Sequence, residues 1–282
     1  MTRTLIALIL IGCFLLVSPP AEAGLFSKKA ELLKNDQPMD EVTPGFERKV
    51  FAAKEKKRKA LTYFWYQPQP PYPEGLKFPL VVVLHDTTGK AQAAKSLVAP
   101  AMQTAFPAFV VVPALTATSV WANPTKPIVQ NDGKVLSGAW YEAIHDTVAL
   151  IKTLPAQYPI DKRRIYVIGC AEGGMGAFGA VLHYPELFAA AVPINGAWSP
   201  EDSPHMTKTP IWALHGANDD VMPPYLSKDM VSLIHEYGGP VFYSEMPGLK
   251  HDCSAKQFYA PQMWDWMFKQ ARPAPPPSAK SQ

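Results

Sequence analysis

The sequence predicts an α/β protein built on a doubly wound, mostly parallel β-sheet flanked by helices. Short continuous apolar runs such as Pro79–His85 (PLVVVLH) recur along the chain, as expected of strands buried on both faces. Amphipathic stretches of helical length, such as Trp140–Leu154, lie between them, so strand and helix alternate. With 282 residues, 48% hydrophobic and 18% charged, the chain can bury one large core.

The first segment reads as a targeting signal. Arg3 supplies positive charge, Leu5 to Val17 is apolar but short for a membrane span, and Ala21-Glu22-Ala23 fits a small-x-small cleavage site. Cleavage after Ala23 implies export to the periplasm or beyond. The alternative is a lipoprotein, because Leu10-Ile11-Gly12-Cys13 resembles a lipobox, although Phe14–Val17 continues the apolar run past the cysteine. Cleavage leaves Cys170 and Cys253, candidates for one disulfide in an oxidising compartment.

Residues 24–45 form a polar lead-in carrying Pro38 and Pro44. Phe46–Ala53 and Ala60–Gln67 read as strands. The basic run Lys54-Glu55-Lys56-Lys57-Arg58-Lys59 between them reads as a solvated hairpin turn, with an anionic partner site as the alternative. The periodic region follows. Pro79–His85, Phe109–Val112, Arg164–Gly169, Phe188–Ile194, Ile211–His215 and Val241–Glu245 are expected strands. Gln92–Gln103, Trp140–Leu154 (ended by Pro155), Gly174–His183, Tyr225–Tyr237 and Gln262–Gln270 are expected helices. From Arg272 the chain is a Pro-rich tail that cannot bury a core. One domain is therefore expected over residues 46–271. A net charge of +3 and a pI of about 8.6 are too mild to argue for nucleic acid. The sequence leaves the oligomeric state open.

Three strand ends carry chemistry. At Gly169-Cys170-Ala171-Glu172-Gly173-Gly174 a buried strand meets a glycine turn and then a helix, the setting of a G-x-Nu-x-G nucleophile elbow with Ala171 at its centre. The strained turn leaves no room for side chains at its glycines. Its helix N-terminus and following amide suit an oxyanion. Further on, His215-Gly216-Ala217-Asn218-Asp219 follows one strand, and Gly248-Leu249-Lys250-His251 follows the next. The order is therefore nucleophile position, acid, base.

With these motifs in order, the stretch from about Pro79 to Met267 resembles the carboxylesterase, depolymerase and predicted-peptidase branch of the α/β-hydrolases. The resemblance rests on His85, Gly169/Gly173/Gly174, Tyr184–Ile194, His215-Gly216/Asp219/Pro223 and Gly248/His251. It implies Asp219 as the acid, His251 as the base, and cleavage of carboxylic esters or peptides as the family activity. It also implies a Cys170–Cys253 disulfide, since some feruloyl-esterase and tannase relatives join the nucleophile and histidine turns in this way.

Two departures oppose that activity. Ala171 has no hydroxyl, and removing the nucleophile of a serine protease costs about a million-fold in kcat. The family's His-Gly is here His85-Asp86. Asp86 and Glu172 are thus expected to place carboxylates where an oxyanion would form. Cys170 and Glu172 stand as alternative nucleophiles, each one position out of frame. His85, Asp86, Glu172, Asp219 and His251 could together hold a divalent metal, but no spacing such as H-x-x-x-H supports it, and no cofactor is expected. Trp121, Trp140 and Trp198 are candidate pocket walls, with core packing an equal explanation for any one of them. The leading expectation is a binder of small ester-like, acylated or peptidic ligands that has lost serine chemistry. An active ester hydrolase using an unorthodox nucleophile or activated water is the first alternative, and a protein-interaction scaffold the second.

Overall fold

The computed structural model describes residues 44–52, 60–116, 118–136 and 141–274. The signal segment with Cys13, the 54–59 basic run, Trp140 and the end of the Pro-rich tail lie outside the described residues.

Eight strands form the main sheet: β1 (Glu47–Phe51), β2 (Leu61–Tyr66), β3 (Phe78–Leu84), β4 (Phe109–Pro113), β5 (Ile160–Cys170), β6 (Ala190–Ile194), β7 (Ile211–Gly216) and β8 (Val241–Met246). Their order is β1-β2-β4-β3-β5-β6-β7-β8. β2 runs antiparallel to β1 and β4, and every pairing from β4 through β8 is parallel. The helices are α1 (Gln92–Leu97), α2 (Pro100–Ala105), α3 (Ala143–Thr153), α4 (Glu172–His183), α5 (Pro224–Glu236) and α6 (Pro261–Lys269).

The continuous apolar runs are explained by burial on both sides. Leu80, Val82 and Leu84 of β3 enter the core shared with α3, α4 and α5, whereas Val81 and Val83 face α1 and α6. Each fully buried side chain of this size contributes about 2 kcal/mol by leaving water. Strand direction then brings the ends of β3, β5, β6, β7 and β8 to one edge of the sheet, where the loops carry the motifs.

Several boundaries differ from the sequence expectation, each for a local reason. The expected helix Gln92–Gln103 is two helices, because Pro100 bars the helical conformation at Ala99, whose ψ is 140°. α4 begins at Glu172, two residues earlier than the glycine pair suggested. β5 begins at Ile160, upstream of the apolar stretch, with exposed Lys162 and Arg163 included in the strand. Residues 188 and 189 precede β6. The segment between β4 and α3 also holds short pairings, Ser119–Val120 with Tyr141–Glu142 and Ile128–Val129 with Val135–Leu136, which no periodicity announced.

Candidate active site

The turn between β5 and α4 is a strained elbow. Ala171 has φ 54° and ψ −116°, and it shares positive φ with Asn195 alone among the described non-glycine residues. Such a backbone costs on the order of 1–3 kcal/mol and persists only where its surroundings hold it. Here the Ala171 amide donates to the Ile194 carbonyl at 2.9 Å, and the Met175 amide donates to the Ala171 carbonyl at 3.0 Å. The glycines are steric necessities. A Cβ on Gly169 would lie 2.2 Å from the Gly173 carbonyl oxygen, one on Gly173 2.0 Å from that of Leu84, and one on Gly174 2.5 Å from that of Ile194. Gly173→Ala must therefore push α4 off β3. It is expected to cost about 3 kcal/mol or more and to deplete the soluble protein, as read by expression yield and thermal melting.

Asp219 and His251 meet because two loops zip together. The Ala217 amide donates to Met246 O, and the Asn218 amide to Leu249 O. Gly216 permits this approach, since a Cβ there would be 2.6 Å from the carbonyl oxygens of Leu249 and Lys250. His251 Nδ1 then lies 2.7 Å from Asp219 Oδ2. The Asp219 side chain is fully buried, and that of His251 is 19% exposed. Asp219 Oδ1 accepts the amides of Val221 and Met222 at 2.9 and 2.7 Å. The disulfide Cys170–Cys253, with Cα atoms 5.7 Å apart, joins the residue before Ala171 to the second residue after His251. It holds the base loop against the elbow, and it engages the Cys170 sulfur that was the alternative nucleophile.

Burial by itself opposes ionisation of Asp219. Hydrogen bonds from His215 and His251, with the Met222 amide, outweigh it and hold the carboxyl well below the usual carboxylate range. A depressed folded-state pKa contributes stability that is present above the unfolded value of ~3.9 and is lost as pH falls below it. Asp219→Asn should therefore cost about 3 kcal/mol at neutral pH, where two histidines lose a buried partner. Thermal melts of the parent and the variant should converge as pH drops below about 4. A constant gap across that range would exclude this role.

Sequence reasoning missed three polar residues behind the acid. His215, fully buried, lies 3.2 Å from Asp219 Oδ2 through Nε2, which also donates to the Met222 carbonyl at 2.9 Å. Its Nδ1 meets Ser227 Oγ at 2.8 Å, and the Ser227 hydroxyl donates to the Gly196 carbonyl at 2.5 Å. Asn195, at φ 47°, accepts the Gly216 amide at 2.9 Å and reaches the Lys250 carbonyl, bracing both loops. His215 was visible as part of a His-Gly motif. Ser227 and Asn195 carried no signal, because their partners, the His215 ring and the Gly196 carbonyl for one and the Gly216 amide and Lys250 carbonyl for the other, are distant in sequence.

Other expected site residues have structural employment. His85 is 1% exposed. Its Nδ1 donates to the Asp86 carbonyl at 2.7 Å, and its Nε2 accepts the Leu115 amide at 3.1 Å, so the ring pins β3 to the loop after β4. One oxygen of Asp86 accepts the Thr88 amide, the Thr88 hydroxyl and the Lys90 amide within 2.9 Å. This carboxylate organises its own turn, a role unlike the simple opposing charge expected from sequence. The Asp86 amide is itself committed to the Lys90 carbonyl at 3.2 Å. Glu172 is the first residue of α4 and is partly buried. Among the described residues no three His, Cys, Asp or Glu side chains converge to hold a metal ion. Trp121 and Trp198 are fully buried, so core packing is the reading that holds for both. A Cβ on Gly176 or Gly179 of α4 would strike them, so the glycines of that helix are what admit the indoles.

A parallel sheet with this strand order, a strained strand–helix elbow and an Asp–His couple on the next loops define an α/β-hydrolase. A sequence model described as the Dienelactone hydrolase family matches residues 65–256, well over half of the chain, and the chain belongs to that family. It is 25% identical to a probable carboxylesterase of Oryza sativa subsp. japonica over 175 residues, 53% of this chain and 65% of the relative. It is 28% identical over 115 residues to an Arthroderma benhamiae protein described as secreted, covering 30% of this chain and 12% of the relative. It superposes on the crystal structure of a thermostable esterase with a TM-score of 0.70 at 26% identity, over 82% of this chain and 64% of that one. The chain thus spans less than two thirds of the length of each of these relatives. No helix among the described residues is long and apolar enough to cross a membrane.

Proposed function

We propose that this chain is an exported member of the family that has kept the Asp219–His251 acid–base couple and lost serine chemistry, and that it binds a small ester-like, acylated or peptidic ligand without turning it over. The observation that carries this reading is a methyl group on a strained elbow. Ala171 has the backbone of a nucleophile position and no atom able to attack a carbonyl. Asp219 and His251 remain hydrogen-bonded, and the Cys170–Cys253 bridge ties the His251 loop to the elbow, which supports a retained polar site without its nucleophile. The esterases to which the chain is similar support an ester-like ligand. Export is supported by the apolar N-terminal run, the disulfide, and a relative described as secreted.

The second reading, hydrolysis by water activated directly on His251, is favoured by the intact 2.7 Å Asp219–His251 contact. Hydrolysis of short-chain p-nitrophenyl esters by the parent, Ala171→Ser and His251→Ala separates the two. An inert parent supports the first reading. A parent whose turnover disappears with His251→Ala supports the second.

A further inference from the structure

The His215 side chain, on β7, is fully buried, and each hydrogen-bond partner of its two ring nitrogens is an oxygen that needs a proton. Nε2 faces the Met222 carbonyl at 2.9 Å and Asp219 Oδ2 at 3.2 Å. Neither oxygen can donate. A carbonyl never does, and the Asp219 carboxyl, held well below the usual carboxylate range, is ionised. Nε2 therefore carries a proton. Nδ1 faces Ser227 Oγ, on α5, at 2.8 Å. A serine has one proton to give. Ser227 Oγ stands 2.5 Å from the Gly196 carbonyl oxygen, a separation that two oxygens keep only with a hydrogen between them. The serine proton is spent there. Ser227 can meet Nδ1 only as an acceptor, so Nδ1 carries a proton as well.

A histidine with a proton on both nitrogens is an imidazolium. We infer that His215 is a buried cation, the counter-ion of Asp219, fixed in that state by the chain of hydrogen bonds through Ser227 to Gly196. The surrounding groups fit a positive charge. The Asp219 side chain is buried with it, and His251 approaches the same Oδ2 from the loop after β8. Asp220 and Lys250, from the acid turn and that same loop, are exposed and paired with each other at 3.3 Å. A buried ion is tolerated when it is paired and its donors are satisfied, and both N–H groups of His215 find acceptors. His215 is thus a positioning residue for the couple. With His251 and the amides of Val221 and Met222 it surrounds Asp219 with donors and balances the carboxylate charge from behind, which fixes the oxygen that orients His251.

The test is nitrogen NMR of the full chain with labelled histidine rings, His215 being assigned through the backbone, at about pH 8, where a histidine with the ordinary value of ~6.5 is neutral. A neutral ring shows one bare nitrogen, and an imidazolium shows none. His215 should show two protonated nitrogens. Ser227→Ala, which removes the acceptor of Nδ1, should convert it to a neutral ring protonated at Nε2. One bare nitrogen on His215 in the parent overturns the cation, and it is the result that a histidine serving only as packing would give. An imidazolium that survives Ser227→Ala overturns the Ser227–Gly196 chain as what fixes the charge. Circular dichroism verifies that the variant folds, and the parent spectrum decides the charge by itself if it does not.

Discussion

Ala171→Ser is expected to convert an inert chain into an ester hydrolase, with turnover on the order of 10³-fold above the parent. Removal of the nucleophile from a serine protease lowers kcat by about 2 × 10⁶, which bounds the reverse gain. The gain should fall short of that bound because the Asp86 amide is spent on the Lys90 carbonyl, inside the β3–α1 loop that supplies one oxyanion donor in this fold. Folding should not oppose the substitution. The elbow already holds φ 54° with an alanine, so serine adds one hydroxyl and no new backbone strain. His251→Ala or Asp219→Asn in the serine background should return the rate to that of the parent, since His251 would take the serine proton and Asp219 would orient it. Initial rates on p-nitrophenyl acetate check all four proteins. A folded Ala171→Ser chain with no gain would mean that His251 and the elbow do not form one site.

Removing the disulfide has the second-largest expected effect. Cys170 and Cys253 are 83 residues apart in sequence, and closing a loop of that length stabilises a fold by about 4 kcal/mol through the unfolded state. Cys170→Ala/Cys253→Ala should lower Tm by roughly 10 °C for a domain of this size. In the Ala171→Ser background the same pair should also reduce turnover, because the bridge holds the loop bearing His251 against the elbow. Calorimetry of the oxidised parent, the reduced parent and the double variant checks this. Equal Tm values for all three would show that the bridge contributes nothing.

Much of the fold was legible in the sequence. β3 was readable because a parallel strand buried on both faces must be a continuous apolar run, and α3 because one buried face imposes helical spacing. Pro100 also carried its signal, although the helix around it was read as continuous. The order of elbow, acid and base was visible as residue types at strand ends. The absence of a hydroxyl at position 171 is a property of the sequence alone.

Tertiary structure decided which polar groups meet. It brought His251 to Asp219, placed His215 and Ser227 behind the acid, used Asn195 to brace both loops, and drew Cys170 to Cys253. It also gave His85 and Asp86 hydrogen-bonded places in loop architecture and put Trp121 and Trp198 in the core, the second of the two readings that the sequence left open for the tryptophans. The reason is physical. Periodicity and turn chemistry depend on neighbours a few residues away and are written in local spacing. The partner of a buried polar group is set by which loops the sheet order brings together, and those loops lie far apart in the chain.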